Sequence, residues 1–433
     1  MIGFVDKNGW ISVVIAKSLQ IFFLQFLGAV QVVGFDWKFC PIVKGLRAVK
    51  RLVLLVALIG SVPCVLPGSI LSQEPAQEFL EALRAQNYHD LAIEYLSSIE
   101  STDMLTNEFR SVLPFEKAQS LIDSTSRLRD VDKVEARLNQ AQQLLTKYAS
   151  ENQSLEVSAR TFRYQGNLLF RRSTIYLNQS KSDRATESEK QEAFGKARKV
   201  LAESLASYEK ARDQIRRLID SNSPDAIQID PEDPSTGKRR SLFQNRFTLV
   251  RLQLPRVTEQ LADTYPEGNS ERTKLLQKAA VDFDDVWTDY NRYFAGFQAC
   301  VFSARCYQKL GNHQKTIDLL TNIFELGNNS ILKPIKLEAY SLASKSWSQM
   351  DPYPHNEVVQ RLGPAVKVLN RVEARNPEWL RVKMELAIAS HKMAADVKAA
   401  GGPKASRDSK AMIRSAAKML RDVTRVPLSL IHI

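Results

Sequence analysis

The sequence predicts an all-α protein, a row of stacked antiparallel helix pairs, from three observations. Apolar residues recur at spacings of three and four through 76–100, 106–124, 130–148, 153–177, 190–219, 245–265, 271–292 and 295–310, the period of a single buried helix face. Ala, Leu, Glu, Lys, Arg and Gln fill most of the chain after residue 75, and these residues lose least on entering a helix. Only 17 Gly and 17 Pro occur in 433 residues, too few for many short strands with turn chemistry at both ends. A chain of this length exceeds one ordinary core, which points to several domains or to an extended array.

Residues 1–72 read as a leader. The cluster Lys44, Arg47, Lys50 and Arg51 precedes the apolar run Leu52–Leu66, the charge-then-apolar order of a secretory signal. Pro63 interrupts that run, which is also shorter than the roughly 20 apolar residues of a spanning helix. Small and polar residues resume from Pro67 to Pro75, so cleavage is expected near Ser69 or Ser72. Pro63 stands where a lipid-modified Cys64 needs Gly, Ala or Ser before it, which argues against a lipoprotein. A second apolar stretch, Ile21–Phe35, makes the leader unusually long, and an over-extended N-terminus starting ahead of the true site near Val49 explains it. The alternative is a membrane-anchored protein held by Ile11–Phe35 and Leu52–Leu66, but Lys17, Gln25 and Gln31 weaken the first as a span.

Beyond the leader, residues 73–220 read as an N-terminal helical half opening with a hairpin. An exposed loop is expected over 221–243, since Ser221–Arg240 is rich in Pro, Asp and Ser. A second helical array follows over 244–427. Residues 428–433 lack a polar finish and are expected to carry no function.

The pattern becomes specific at Ala299–Leu326, where Ala304 and Tyr307 occupy one helix, Gly311 the turn, and Thr316, Leu320 and Ile323 the next helix. Here the chain resembles a tetratricopeptide repeat, with its period of about 34 residues. A small residue is needed where two helices cross closely, and Gly suits the left-handed end of the first. The second-helix spacing recurs as Ala92/Leu96/Ile99 with Asn87 in the Gly place, as Ala365/Leu369/Val372 followed by Pro377, and as Ala416/Leu420/Val423. The resemblance covers about a third of the chain, and the copies are irregularly spaced. It implies an α-solenoid whose first helices line a partner-binding groove. Its groove positions fall on Gln298, Val301, Arg305, Gln308 and Lys309, and after Pro377 on Met384, Ile388, His391 and Lys392.

Signals for catalysis are sparse. No phosphate-binding glycine loop, HExxH, GxSxG or CxxC occurs, so no catalytic residue, cofactor or metal is expected. Cys300 and Cys306 lie six apart on different sides of a helix and read as small buried residues. His89 and His313 occupy equivalent places near inter-helix turns and read as packing residues. Asp282, Asp284, Asp285 and Asp289 crowd one helical segment and read as a solvated acidic face rather than a cation site. The basic run Lys238, Arg239, Arg240, Arg246, Arg251 and Arg256, interleaved with Phe243, Phe247, Val250 and Leu254, reads as a solubilising face, with contact to an acidic polymer or membrane as the alternative.

Charge does not favour nucleic acid. The chain has 60 Lys/Arg against 48 Asp/Glu, and residues 1–72 hold seven against two, leaving 53 against 46 for the rest. That excess is mild. The expectation is therefore a non-enzymatic protein–protein interaction scaffold in the bacterial envelope or extracytoplasmic space, touching membrane only through its N-terminal apolar segments. Two alternatives stay open: a helical toroid that binds or cleaves glycans, and a membrane-held assembly factor. Mass spectrometry of the native N-terminus tests export. Cleavage near Ser69 or Ser72 is expected, and a cytosolic chain intact from Met1 would contradict it.

Overall fold

The computed structural model describes residues 76–425 apart from positions 103, 104, 328 and 371. The expected leader, its apolar runs, and the end at 428–433 lie outside the described residues. Among the described residues there are fourteen α-helices and no strand. They are α1 (Ala76–Ala85), α2 (His89–Glu100), α3 (Asn107–Ser124), α4 (Val131–Glu151), α5 (Leu155–Ser180), α6 (Glu187–Ile219) and α7 (Pro234–Ala262). They continue as α8 (Ser270–Tyr290), α9 (Phe294–Lys309), α10 (His313–Phe324), α11 (Lys333–Trp347), α12 (His355–Lys367), α13 (Pro377–Ala400) and α14 (Ala405–Thr424).

Local chemistry starts and stops these helices. The side chains of Thr106, Asp130, Ser154, Asp233, Asn269, Asn312 and Asn376 accept hydrogen bonds from the first-turn N–H groups of their helices, which otherwise have no partner. Thr186 and Glu189 form a reciprocal capping box at the head of α6. The turn between α9 and α10 uses Gly311 at φ 78°, and the turn between α1 and α2 uses Asn87 at φ 58°. Both are left-handed, which Gly adopts freely and Asn tolerates.

Packing follows chain order. Each helix lies against the next, and among the odd-numbered helices α3 touches α5, α7 touches α9, α9 touches α11 and α11 touches α13. The core is correspondingly serial: separate apolar clusters centre on Leu80 and Leu96, on Phe115 and Tyr148, on Tyr208 and Phe243, on Phe283, and on Trp347. Ala304 has no exposed surface and accepts through its carbonyl from Thr316 Oγ1 at 3.2 Å, so the small residue does sit where α9 and α10 meet.

Two expectations need correction. The loop over 221–243 is shorter, because Asp233 caps the helix and Pro234, with its fixed φ, suits the first helical position. Nor does the loop separate two halves, since Leu218, Ile227, Phe243 and Val250 share one apolar cluster across it. The register Ala365/Leu369/Val372 also breaks at its last position, although Ala365 and Leu369 stay half-buried against the core. Helix α12 ends at Lys367, just after the internal Pro364, and Asn370 Oδ1 accepts from the N–H groups of Val372 and Glu373 to start a new turn. Val372 is 82% exposed, while Val358 and Leu362 face inward instead. In α14 Ala416 is buried but Leu420 is 41% exposed.

Gly166 allows a close approach of α5 and α6. Its carbonyl accepts from Ser204 Oγ at 2.8 Å, and a Cβ there would lie 2.9 Å from the ring of Tyr208. Tyr208 is 2% exposed and has little room to move. Ala is favoured over Gly in a helix by about 1 kcal/mol, but overpacking costs about 1–3 kcal/mol. Gly166→Ala is therefore expected to lower the denaturation midpoint. An unchanged or higher midpoint would contradict the close crossing.

Candidate binding face

The odd-numbered helices present side chains to one another across the gaps between successive pairs, and two kinds of polar arrangement fill those gaps. The first is a closed ion network. Glu259 of α7 accepts from Arg305 of α9 at 2.7 and 2.6 Å and pairs with Lys309 at 2.9 Å. Lys309 also reaches Asp263 at 2.7 Å, and Arg305 reaches Glu338 of α11 at 3.0 Å. Burial alone raises the pKa of Glu259, yet Arg305 and Lys309 overcome it and hold the carboxyl below its ordinary range. The guanidinium of Arg305 also lies 4.6 Å from the centroid of the Phe302 ring.

This network changes the meaning of several groove positions expected from the sequence. Arg305 and Lys309 spend their charge on Glu259, Asp263 and Glu338. Gln308 donates to the carbonyl of Leu342 at 3.0 Å and to Ser346 at 3.2 Å, bridging α9 to α11. Val301 has no exposed surface and belongs to the core. Gln298 is half-buried on α9. On α13, Met384 is 43% and Ile388 40% exposed. His391 and Lys392 are exposed as well, with Lys392 lying 4.1 Å from the Tyr353 ring centroid. The α9 positions are thus mostly helix-to-helix ties, whereas the α13 positions form an open surface.

The second arrangement is open. A cavity of about 440 Å³ is lined by four successive odd-numbered helices: Leu80 and Arg84 of α1, Phe115 and Glu116 of α3, Arg160 and Arg163 of α5, and Leu242, Arg246 and Leu249 of α7. A neighbouring cavity of about 220 Å³ shares Arg163, Tyr164 and Leu249 and adds Arg171, Tyr208 and Arg256. Arg84 is matched, reaching Glu116 at 2.5 Å and Ser120 at 2.9 Å. Among the described residues Arg160, Arg163, Arg171, Arg246 and Arg256 form no ion pair. Nε of Arg160, Nε of Arg163 and Nη1 of Arg246 are buried without a hydrogen-bond partner. Burial, reinforced by Arg160 and Arg163, pushes the Arg246 guanidinium down to about 10. Asp123 lies near Arg84, Arg163 and Arg171, but burial raises its pKa.

Sequence reasoning named Arg246 and Arg256 but read them as part of a solvated face. It missed the matching stripe on α5. The signal was there: Arg160, Arg163, Asn167 and Arg171 follow spacings of three and four, as do Arg246, Leu249, Gln253 and Arg256.

Elsewhere the polar groups serve packing. Cys300 and Cys306 are buried free thiols, pushed up by burial. Asp284 accepts from Ser303 at 2.6 Å and Tyr307 at 2.9 Å, and Asp289 pairs with Arg251 at 2.5 Å, so these carboxylates tie helices together. His89 and His313 are half-buried at the first positions of α2 and α10. Arg239 pairs with Glu156, and Arg240 donates to the Ile219 carbonyl at 2.8 Å. Among the described residues no cluster of His, Cys, Asp or Glu has the makings of a metal site, and no helix is long and apolar enough to cross a membrane. Comparison with family models and with curated proteins gives no match.

Removing one member of a buried ion pair leaves its partners uncompensated, at a cost of about 3 kcal/mol or more. Glu259→Ala is expected to lose about that much, and a neutral effect would contradict the network. Because the folded-state pKa of Glu259 is depressed, its contribution is complete above the ordinary value of 4.5 and disappears as pH falls through the lower folded value. Glu259→Gln should therefore flatten the fall in stability below pH 4.5, and an unchanged acid limb would count against the assignment.

Proposed function

We propose that this chain is a non-enzymatic interaction scaffold of tetratricopeptide-like type, which holds a segment of another protein against its odd-numbered helices. The observation that carries the reading is the cavity of about 440 Å³ that opens across α1, α3, α5 and α7. Helix pairs packed in chain order supply such a face because each pair must use its neighbours to cover its apolar side, leaving successive first helices in line. Extended peptides and amphipathic helices are the ligands that a long, shallow, mixed polar and apolar surface suits. The exposed Leu242 and Leu249 are apolar anchors within it. The basic cluster ahead of Leu52–Leu66 supports action outside the cytoplasm, in the envelope or beyond it.

A photo-crosslinking residue placed at Leu249 in the full chain in its native cells tests this. It is expected to capture one or a few defined proteins, while the same residue at Val281, exposed on α8, captures none of them. Equal capture from both positions, or retention and cleavage of glycans by the purified chain with no protein captured, would overturn the scaffold reading.

A further inference from the structure

The cavity between α1, α3, α5 and α7 holds more cationic charge than the fold uses. We propose that Arg160, Arg163 and Arg246, supported by Arg171 and Arg256, form an anion-recognition site for an acidic and partly apolar peptide segment. This rests on the scaffold reading and specifies the chemistry of its ligand.

A partly buried guanidinium loses hydration, and the loss is ordinarily offset by a carboxylate or carbonyl partner. A few helices along the same array, Arg305 and Lys309 follow that rule, with Glu259, Asp263 and Glu338 in direct contact. Arg160, Arg163 and Arg246 in the cavity have no such carboxylate, whereas Arg84 is matched to Glu116 and Arg256 donates to Gln253 Oε1 at 3.2 Å. Arg163 lies 4.2 Å from the Tyr164 ring centroid, Arg246 5.0 Å from that of Phe243, and Arg256 5.6 Å from that of Phe170. Each is held in place by stacking while buried N–H donors of Arg160, Arg163 and Arg246 have no acceptor. Burial and mutual repulsion among Arg160, Arg163 and Arg246 disfavour the charged Arg246. The carboxylates nearby are Glu116, taken by Arg84, Glu81, which accepts from Gln77 at 3.3 Å, and Asp123. A ligand bringing carboxylates meets donors that are already oriented and already desolvated, the condition under which charge-assisted hydrogen bonds are strongest.

The rest of the lining selects the occupant. Leu80, Leu242 and Leu249 offer apolar contact, and Gln77, Gln119 and Asn245 offer amides suited to a peptide backbone. A continuous polyanion would set phosphates against Glu81 and Glu116 as well as against the arginines, whereas a peptide can space its carboxylates. Charge also argues against the chain's own residues 1–72, which hold seven Lys/Arg against two Asp/Glu.

The test is fluorescence anisotropy with the full chain and a labelled short peptide of alternating Glu and Leu, beside its Glu→Gln counterpart. The Glu peptide is expected to bind at least about tenfold tighter than the Gln peptide, the scale of hydrogen bonds to charged groups, and to weaken as salt rises. Arg160→Gln with Arg246→Gln is expected to remove about tenfold or more of that affinity, while Arg239→Gln, outside the cavity, changes it by no more than about twofold. The double variant is expected to melt no lower than the parent, since it relieves repulsion. If it unfolds instead, the comparison of the two peptides on the unaltered chain decides the matter alone. Equal binding of both peptides overturns the proposal, as does binding of tripolyphosphate or single-stranded RNA with no binding of the Glu peptide. If Leu249 still captures a protein partner while the Glu peptide shows no preference, the anion site fails and the scaffold reading stands; if Leu249 captures nothing, the scaffold reading fails first.

Discussion

A helix pair covers only part of its own apolar surface, and this constraint shapes everything else in the chain. Each helix leans on the next in chain order, and several odd-numbered helices also touch one another. The contacts α7 to α9, α9 to α11 and α11 to α13 are the result, and they bring side chains of successive odd-numbered helices face to face. What stands at those meeting points decides whether the seam is closed or open. Around Trp347, Trp379 and Val382 it is apolar and closed. At Glu259 it is ionic and closed. At Arg160, Arg163 and Arg246 it is basic and open.

The closed and open seams explain each other. Arg305 and Lys309 show that this chain can neutralise a buried cation when the fold calls for it, with Glu259 only 3% exposed between them. Placing arginines that form no ion pair one pair earlier is therefore a departure from the chain's own practice, and it coincides with the larger of the two cavities described between odd-numbered helices. A seam that cost stability and did nothing would be replaced readily by apolar packing. The unmatched donors and the space beside them lie together, and on the proposed reading an external anion would complete them.

Much of the helical pattern was legible in the sequence. Apolar spacing located α3 to α9 to within a few residues at most ends, and Asn87 and Gly311 marked two of the turns that use a left-handed residue. The start of α7 was misread because Pro, Ser, Thr and Gly favour loops in isolation, although Asp233 followed by Pro234 is also a strong helix start. The register after Pro364 broke at Val372 because spacing alone carries no information on where a helix ends. The candidate site was harder. Whether an arginine is solvated or trapped depends on the element across the gap, and Arg305 and Arg163 look alike in the sequence while one faces Glu259 and the other faces Arg246. Only the stripe on α5 set against the stripe on α7 could have hinted at it.

The most direct test of the account is a structure of the full chain with the acidic peptide bound. The account predicts peptide density along α1, α3, α5 and α7, with carboxylate oxygens within about 3 Å of the guanidinium groups of Arg160, Arg163 or Arg246. Density on the even-numbered helices, or at Met384 and Ile388 with the arginine cavity unchanged, would contradict it.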